Sequence, residues 1–418
     1  MKVGIIGAGF SGLTAAVELV DKGVEVVVWE KEKSVGGLGG GFKEKEWKWS
    51  LDRYYHHIFS GDKEVIEMAK KVGAGLIWGL PKSNSWINDK EWQLDSPVSV
   101  LKFRPMSLWG RLRMGLGLAI LKIIMNGEWL EKYRVVDVLP WLIGKEGYRK
   151  IWERMLTAKF GKYIGRVSMS WFWARVAKRT QKLGYFEGGF ESMAKKMASH
   201  VKGLKGEVRL GEGVEKVEKS GKGWKINGEK VDAVLVTTPA PVAKRWWKEI
   251  QIPKIDYLWG QTLILEMKES VIDGYWLNVL EKEWPFLVLV EQTNWIEKKN
   301  YGGKVMVYLG NYLEDGDDRL KMEKKELLDL YWPYLKKING KIEKNWVSRS
   351  WKFQSPFAQP VFPINYSQKK PRIKTGVGGV YMANMSMVYP YDRGVNYAVE
   401  IGQRAVKRIL SDYNMING

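Results

Sequence analysis

Cysteine is absent from all 418 residues, and histidine occurs only three times, at His56, His57 and His200. Without thiols there are no disulfides, no thiolate metal sites, no Cys-x-x-Cys redox pair and no cysteinyl link to a cofactor. Three histidines, two of them adjacent, are too few to build a zinc centre, so no metal site is expected. Long apolar runs are missing as well. The longest, Met114 to Met125, is interrupted by Lys122 and is too short to span a bilayer. The apolar N-terminal stretch is only a strand long and runs straight into a glycine loop, so it reads as structure rather than as a signal peptide. A cytoplasmic chain is the expectation. Neither solenoid-type repeats nor low-complexity segments occur.

What is present describes a large globular protein. A chain of 418 residues is too long for one compact core, so two domains are expected, and a hydrophobic content of 45% excludes wholesale disorder. The net charge is +21, yet Lys and Arg are mixed with Glu, as in Lys43-Glu-Lys-Glu46, the pattern of a solvated surface. The same excess makes a field that would concentrate an anionic small-molecule substrate. No recognisable module organises the basic and aromatic residues for nucleic acid, which is not an expected partner. Phe103 to Leu130 carries Trp109, Arg111, Arg113, Lys122 and Trp129 around an apolar stripe. Such a stripe either lies at a membrane interface, here the inner face, or packs as a buried helix of a substrate domain. Nothing in these patterns sets the oligomeric state.

The most informative segment is Lys2 to Leu13. Val3, Ile5 and Ile6 predict a short buried strand, Leu13 to Lys22 predicts a helix, and between them Gly7, Gly9 and Gly12 form Gly-x-Gly-x-x-Gly around Phe10 and Ser11. Gly7 permits a tight turn, Gly9 lets backbone approach a pyrophosphate, and Gly12 lets helix and strand pack closely. The helix N-terminus offers N–H groups and partial positive charge to the phosphates. A second strand, Val24 to Trp29, ends in Glu30, followed by Lys31, where an acidic residue would hydrogen-bond ribose hydroxyls. Strand, helix, strand and terminal carboxylate in this order predict dinucleotide binding. A glycine-rich turn in an ordinary βαβ unit would leave Glu30 without a purpose.

Beyond Glu30, the run Ser34-Val-Gly-Gly-Leu-Gly-Gly-Gly-Phe42 resembles the second glycine motif of flavoproteins related to amine oxidases, protoporphyrinogen oxidases, phytoene desaturases and UDP-galactopyranose mutases. The resemblance implies that Gly36 and Gly37 lie against the phosphates and ribityl chain of FAD. Leu38 stands where amine oxidases usually carry Arg, a departure that argues against amine oxidation itself. Two later segments are similar to the same group. Residues 207–241 read as strands broken by Lys222-Gly223 and Asn227-Gly228 turns, ending in Val234-Leu-Val-Thr-Thr-Pro-Ala-Pro241. The resemblance gives Val214 the role of holding adenine through its backbone. The stretch from Gly379-Val-Tyr-Met-Ala-Asn384 to Asp392-Arg-Gly-Val-Asn-Tyr397 resembles the closing flavin motif, with Asn384 in place of the usual acid. It implies that a last helix, from about Val395 to Leu410, points Gly394, Val395 and Asn396 at the flavin, where its N-terminus would favour the charge of the reduced ring.

The expected fold class is α/β, a Rossmann-type FAD-binding domain interleaved with an α+β substrate domain that has a helical part. The cofactor domain would use 1–82, 184–246 and 374–418. Residues 83–183 read as mainly helical and 247–373 as sheet-containing, with a helix at Lys324 to Lys336. Candidate catalytic groups are less sharply indicated. Arg53, His56 and His57 follow the second glycine motif, with Arg53 suited to an anion and the histidines to proton transfer near neutral pH, or to structural hydrogen bonds. Glu291 and Asn294 end an apolar strand, and Tyr389, Arg393 and Tyr397 fall in the closing motif. The resemblance implies an enzyme with non-covalent FAD that takes hydride from an organic substrate, anionic or lipid-like. The alternatives are a mutase acting on a nucleotide sugar without net redox change, and a non-catalytic flavin-binding or membrane-surface scaffold.

Overall fold

A computed structural model describes residues 1–392 and 394–417, with side chains described through Tyr413. Alternation and β-branching in the first segment give the strand Lys2–Ile6, at the centre of a five-stranded parallel sheet. Its order is Glu207–Leu210, Glu25–Glu30, Lys2–Ile6, Ala233–Val236 and Val380–Met382. Strands from three distant parts of the chain therefore meet in one sheet. The helix Phe10–Val20 connects Lys2–Ile6 to Glu25–Glu30 and buries nearly its whole surface. It starts at Phe10, not Leu13, because Gly9 caps it and Leu13 N–H already donates to Gly9 O. The helix Val395–Asn417 packs across it, and the approach is so close that a Cβ on Gly402 would lie 2.6 Å from Ser11 O.

A three-stranded antiparallel sheet, Val217–Ser220, Gly223–Ile226 and Glu229–Val231, stands on this core with Asn227 and Gly228 both at positive φ in its turn. The expected strand at Val214 begins only at Val217, because the Asn227 side chain takes the N–H groups of Glu215 and Lys216.

The second layer is a seven-stranded sheet in the order Val347–Val361, Asp256–Met267, Val305–Leu313, Val288–Glu291, Trp276–Val279, Ser83–Ile87 and Lys90–Gln93. One face of it packs on the helix Lys324–Ile338 through Leu263, Leu265, Leu309 and Tyr331. The hairpin 83–93 belongs to this sheet, so the interval 83–183 is helical only after it. The 15-residue strand Val347–Val361, with polar residues throughout, gave no clear periodicity and was not anticipated. Helices Pro97–Lys102, Leu108–Ile123, Val135–Ile143, Glu153–Phe160 and Met169–Ala177 gather around Phe103, Met114, Leu121, Leu139 and Trp173. The stretch 148–160 opens with a π-helical turn, Tyr148–Trp152, which runs into the α-helix Glu153–Phe160.

Beside the seven-stranded sheet, Asp52 is buried, and no ion pair among the described residues involves it. Its carboxylate accepts from Tyr185 Oη at 2.9 Å and from Phe190 N at 3.1 Å, and Tyr308 Oη donates to its carbonyl at 2.7 Å. Burial pushes its pKa up to about 8, against the two hydrogen bonds. The folded protein thus keeps a proton that the unfolded chain loses once the pH passes its ordinary value of 3.8. Stability from this group falls as pH rises from that value to about 8. Asp52→Asn should flatten this part of the profile, read as denaturant unfolding free energy against pH.

Candidate active site

A cavity of about 990 Å3 runs between the parallel sheet, the seven-stranded sheet and the helices. Its floor is the first glycine loop. Gly7 has φ +107°, its N–H donates to Trp29 O, and Thr237 Oγ1 donates to the carbonyls of Ile6 and Gly7, tying the loop to the neighbouring strand. A Cβ on Gly12 would lie 2.0 Å from Gly7 O, whereas a Cβ on Gly9 would meet nothing within 4 Å. Gly12 therefore serves packing, and Gly9 leaves room at the cavity wall. The second glycine motif closes on the first: Gly36 N–H donates to Ala8 O, and a Cβ on Gly37 would lie 3.3 Å from Gly9 Cα.

Glu30 is buried at the end of its strand. One carboxylate oxygen accepts from Ala8 N at 2.8 Å and the other from Glu32 N at 3.0 Å, which holds the group rigid at the cavity wall. Glu212 N–H donates to Glu30 O, bringing Gly213 and Val214 to the same wall. Asn384 caps the turn Met385–Met387 through Oδ1, while its buried Nδ2 has no partner among the described residues. Gly394, Val395 and Asn396 bring the N-terminus of the last helix to the cavity. An open position at Gly9, a fixed acceptor at Glu30 and an unspent donor at Asn384 suit a dinucleotide with diphosphate and polyol parts.

Of the residues named from the sequence, Gly7, Gly9, Phe10, Ser11, Glu30, Lys31, Gly36, Gly37, Leu38, Arg53, His56, His57, Val214, Asn384, Gly394, Val395, Asn396 and Tyr397 all line this cavity. Arg393 lies outside the described residues. Gly12 lies behind the wall, packed on Gly7 and Thr237, and three further residues are elsewhere. Glu291 is buried, accepting from Ser270 Oγ and from the N–H groups of Val271 and Ile272, so it staples a loop. Asn294 donates to the carbonyls of Ile272 and Gly274 in the same loop. Tyr389 pairs with Ser168 Oγ at 2.8 Å inside the helical core. A strand end and a motif position indicated exposure to a pocket; local backbone donors claimed these side chains instead. Asn396 also spends its side chain on structure, accepting from Val65 N and donating to Glu64.

Arg53 donates to Gly41 O and Ser34 Oγ and lies over the Phe353 ring, bracing the second glycine loop. His57 is pushed down to about 3, by burial and by Arg179, His56 and Arg175. It is therefore neutral at physiological pH, which runs against the expected proton shuttle, and its ring packs edge-on against Phe59, Tyr275 and Trp276.

The sequence reading missed five charged side chains at this cavity: Lys159, Arg175, Arg179, Asp392 and Asp62. Asp392 accepts from Trp171 Nε1 at 3.2 Å and from Arg175 at 2.8 Å, with Lys159 at 3.4 Å. Burial raises its pKa, but Lys159, Arg175 and Arg179 outweigh burial and hold it at about 2. Asp62 also opens to the cavity and is raised to about 6, mainly by burial. Lys159 and Arg175 come from helices whose sequence reads only as amphipathic, so nothing local announced them. Tyr391 and Tyr397 stack in parallel, 4.8 Å apart, next to this group.

Known proteins decide the family. The flavin containing amine oxidoreductase family matches residues 10–410. The chain belongs to this family. It is accordingly an FAD-dependent oxidoreductase of α/β fold, and FAD is the dinucleotide that the glycine loops and Glu30 fit. Zeta-carotene desaturase of Zea mays is 38% identical over 176 residues, which are 37% of this chain and 30% of that protein. Hydroxysqualene dehydroxylase of Sinorhizobium fredii is 33% identical over 98 residues, 22% of this chain and 24% of that protein. The chain thus spans under a third of the length of either relative. An oxidoreductase structure from Methanosarcina mazei superposes with a TM-score of 0.76 at 15% identity, covering 97% of this chain and 100% of that one. That likeness is one of fold.

Glu30→Ala should weaken FAD retention at least about tenfold, since each charge-assisted hydrogen bond contributes roughly 1.5–3 kcal/mol. It should also lower the melting temperature of the apoprotein, because Ala8 N and Glu32 N lose their acceptor. Equilibrium dialysis with FAD and a thermal melt read the two effects separately.

Proposed function

We propose that this protein removes hydride from a C–H bond of a largely apolar, polyprenoid-like molecule, with FAD held non-covalently beside it. When bound, FAD accepts the hydride at its ring and later passes the electrons to oxygen or another acceptor. The observation that carries this reading is the continuity of the cavity. The glycine cradle opens, without a wall between, into a chamber lined by Tyr54, Tyr55, Trp152, Phe172, Tyr257 and Trp276. Such walls bury hydrocarbon and exclude water, which favours hydride transfer over side reactions. The two relatives, named for zeta-carotene and hydroxysqualene, supply the polyprenoid class.

Within the chamber, Glu30 fixes the dinucleotide and the backbone at Gly394 and Val395 faces developing negative charge. Asp62, raised to about 6, can hold or release a proton at its carboxyl oxygen near neutral pH. Residues 1–82, 184–246 and 374–418 form the cofactor unit in this reading, and the rest of the chain shapes the chamber.

A second reading has its own support. Lys159 and Arg175 pair with Asp392 at the cavity wall, and Arg179 acts on the same carboxylate. That excess of positive charge favours an anionic substrate such as the diphosphate of a nucleotide sugar, isomerised without net redox change. Anaerobic titration of the holoprotein separates the two. Hydride transfer predicts that a detergent-dispersed polyprenoid bleaches the flavin absorption; the mutase reading predicts that UDP-sugars bind, and turn over, only after prior reduction.

A further inference from the structure

We infer that the face formed by residues 97–125 docks on an anionic bilayer surface. The helix Leu108–Ile123 buries Gly110, Met114, Gly117 and Leu121 against its neighbours. Its opposite side is equally apolar, yet it is uncovered: Leu108, Trp109, Leu112, Leu116, Ile120 and Ile123 are all exposed. Among the described residues, the three most exposed large apolar side chains are Met125 at 95%, Ile123 at 76% and Trp109 at 74%. A helix apolar all round is stable in water only when something covers its outer side.

Charge identifies what covers it. From Ser96 to Gly127 there is no Asp or Glu, although the chain holds 47 of them, and Lys102, Arg104, Arg111, Arg113 and Lys122 fall in that stretch. Arg111, Arg113 and Lys122 donate to the backbone carbonyls of Leu101, Trp141 and Arg179. No ion pair among the described residues involves any of the five cations. An apolar ridge rimmed by unneutralised cations complements acyl chains beneath anionic headgroups. A second copy of the same face would bring like charge against like charge.

The ridge also ends beside the cavity. Lys122 Nζ reaches Arg179 O at 2.7 Å, Trp173 Nε1 donates to Ile124 O at 3.1 Å, and Phe172, Arg175 and Arg179 line the cavity. Docking would set the chamber against the bilayer, but the docking itself depends only on the surface and not on the substrate.

Cosedimentation of the FAD-loaded protein tests it, with vesicles of phosphatidylcholine alone or mixed equally with phosphatidylglycerol. The mixed vesicles should bind at least about tenfold more tightly at low salt. The triple variant Trp109→Glu, Leu116→Glu, Ile123→Glu should lose at least about tenfold of that binding. Its flavin spectrum should be retained. A control that charges other exposed apolar positions, Leu80→Glu and Leu204→Glu, should bind like wild type. Three results overturn the proposal: no preference for anionic vesicles, equal binding by the triple variant, or a vesicle-indifferent wild type that forms a concentration-dependent dimer abolished by the triple variant.

Discussion

Gly9→Val is expected to give a folded protein that does not retain FAD. Gly9 has φ −73° and ψ 175°, which valine adopts, and a Cβ there meets no protein atom within 4 Å. The new side chain would therefore leave the loop unstrained and fill the space that backbone leaves for the pyrophosphate. Losing two charge-assisted hydrogen bonds costs about 3–6 kcal/mol, so affinity should drop at least about a hundredfold. Gly12→Ala should behave in the opposite way. Its Cβ would lie 2.0 Å from Gly7 O and 2.9 Å from Thr237 Oγ1, so the loop itself must move and the apoprotein should melt earlier. Flavin content per chain, set against the melting temperature of each apoprotein, separates the two effects. A Gly9→Val protein with full flavin content would remove the pyrophosphate from this position.

The second large effect is expected at Asp392. Its carboxylate pairs with Lys159 and Arg175, and Arg179 also acts on it. Asp392→Asn leaves buried cations without their partner, a change that costs about 3–5 kcal/mol when a buried pair is broken. The pH dependence has a definite sign. The carboxyl is held at about 2, below its ordinary 3.8, so its contribution is complete above that ordinary value and is lost as pH falls towards about 2. The depression corresponds to roughly 2 kcal/mol. Urea unfolding of wild type and variant between neutral pH and the acid limb should show the wild-type advantage shrinking in that window. A variant as stable as wild type at neutral pH would mean that the cluster is already neutralised by other groups.

What the sequence made legible follows the range of its physics. Gly7, Gly12 and Glu30 act through neighbours a few residues away and through a βαβ unit, so spacing alone located the cradle. Val214 and Asn384 were reached only by resemblance, since nothing in their own neighbourhood says that strands 233–236 and 380–382 complete the same sheet as Lys2–Ile6. Gly402 illustrates the limit: its reason is a helix crossing with Ser11 and Thr14, nearly four hundred residues away in the chain. Glu291 and Asn294 were misread because a strand end says where a side chain starts, not which backbone donors are waiting for it. The Lys159–Arg175–Asp392 group was invisible for the same reason. Its members come from two helices and a loop, and only packing makes them a site.

The measurement closest to the centre of the account is anaerobic rapid mixing of the oxidised holoprotein with a polyprenoid substrate, unlabelled or deuterated at the reacting carbon. Hydride transfer predicts that the flavin's visible absorption is bleached in a single turnover and that deuterium slows the bleaching. Persistent oxidised flavin with every polyprenoid, together with turnover of a nucleotide sugar by the pre-reduced protein, would contradict it.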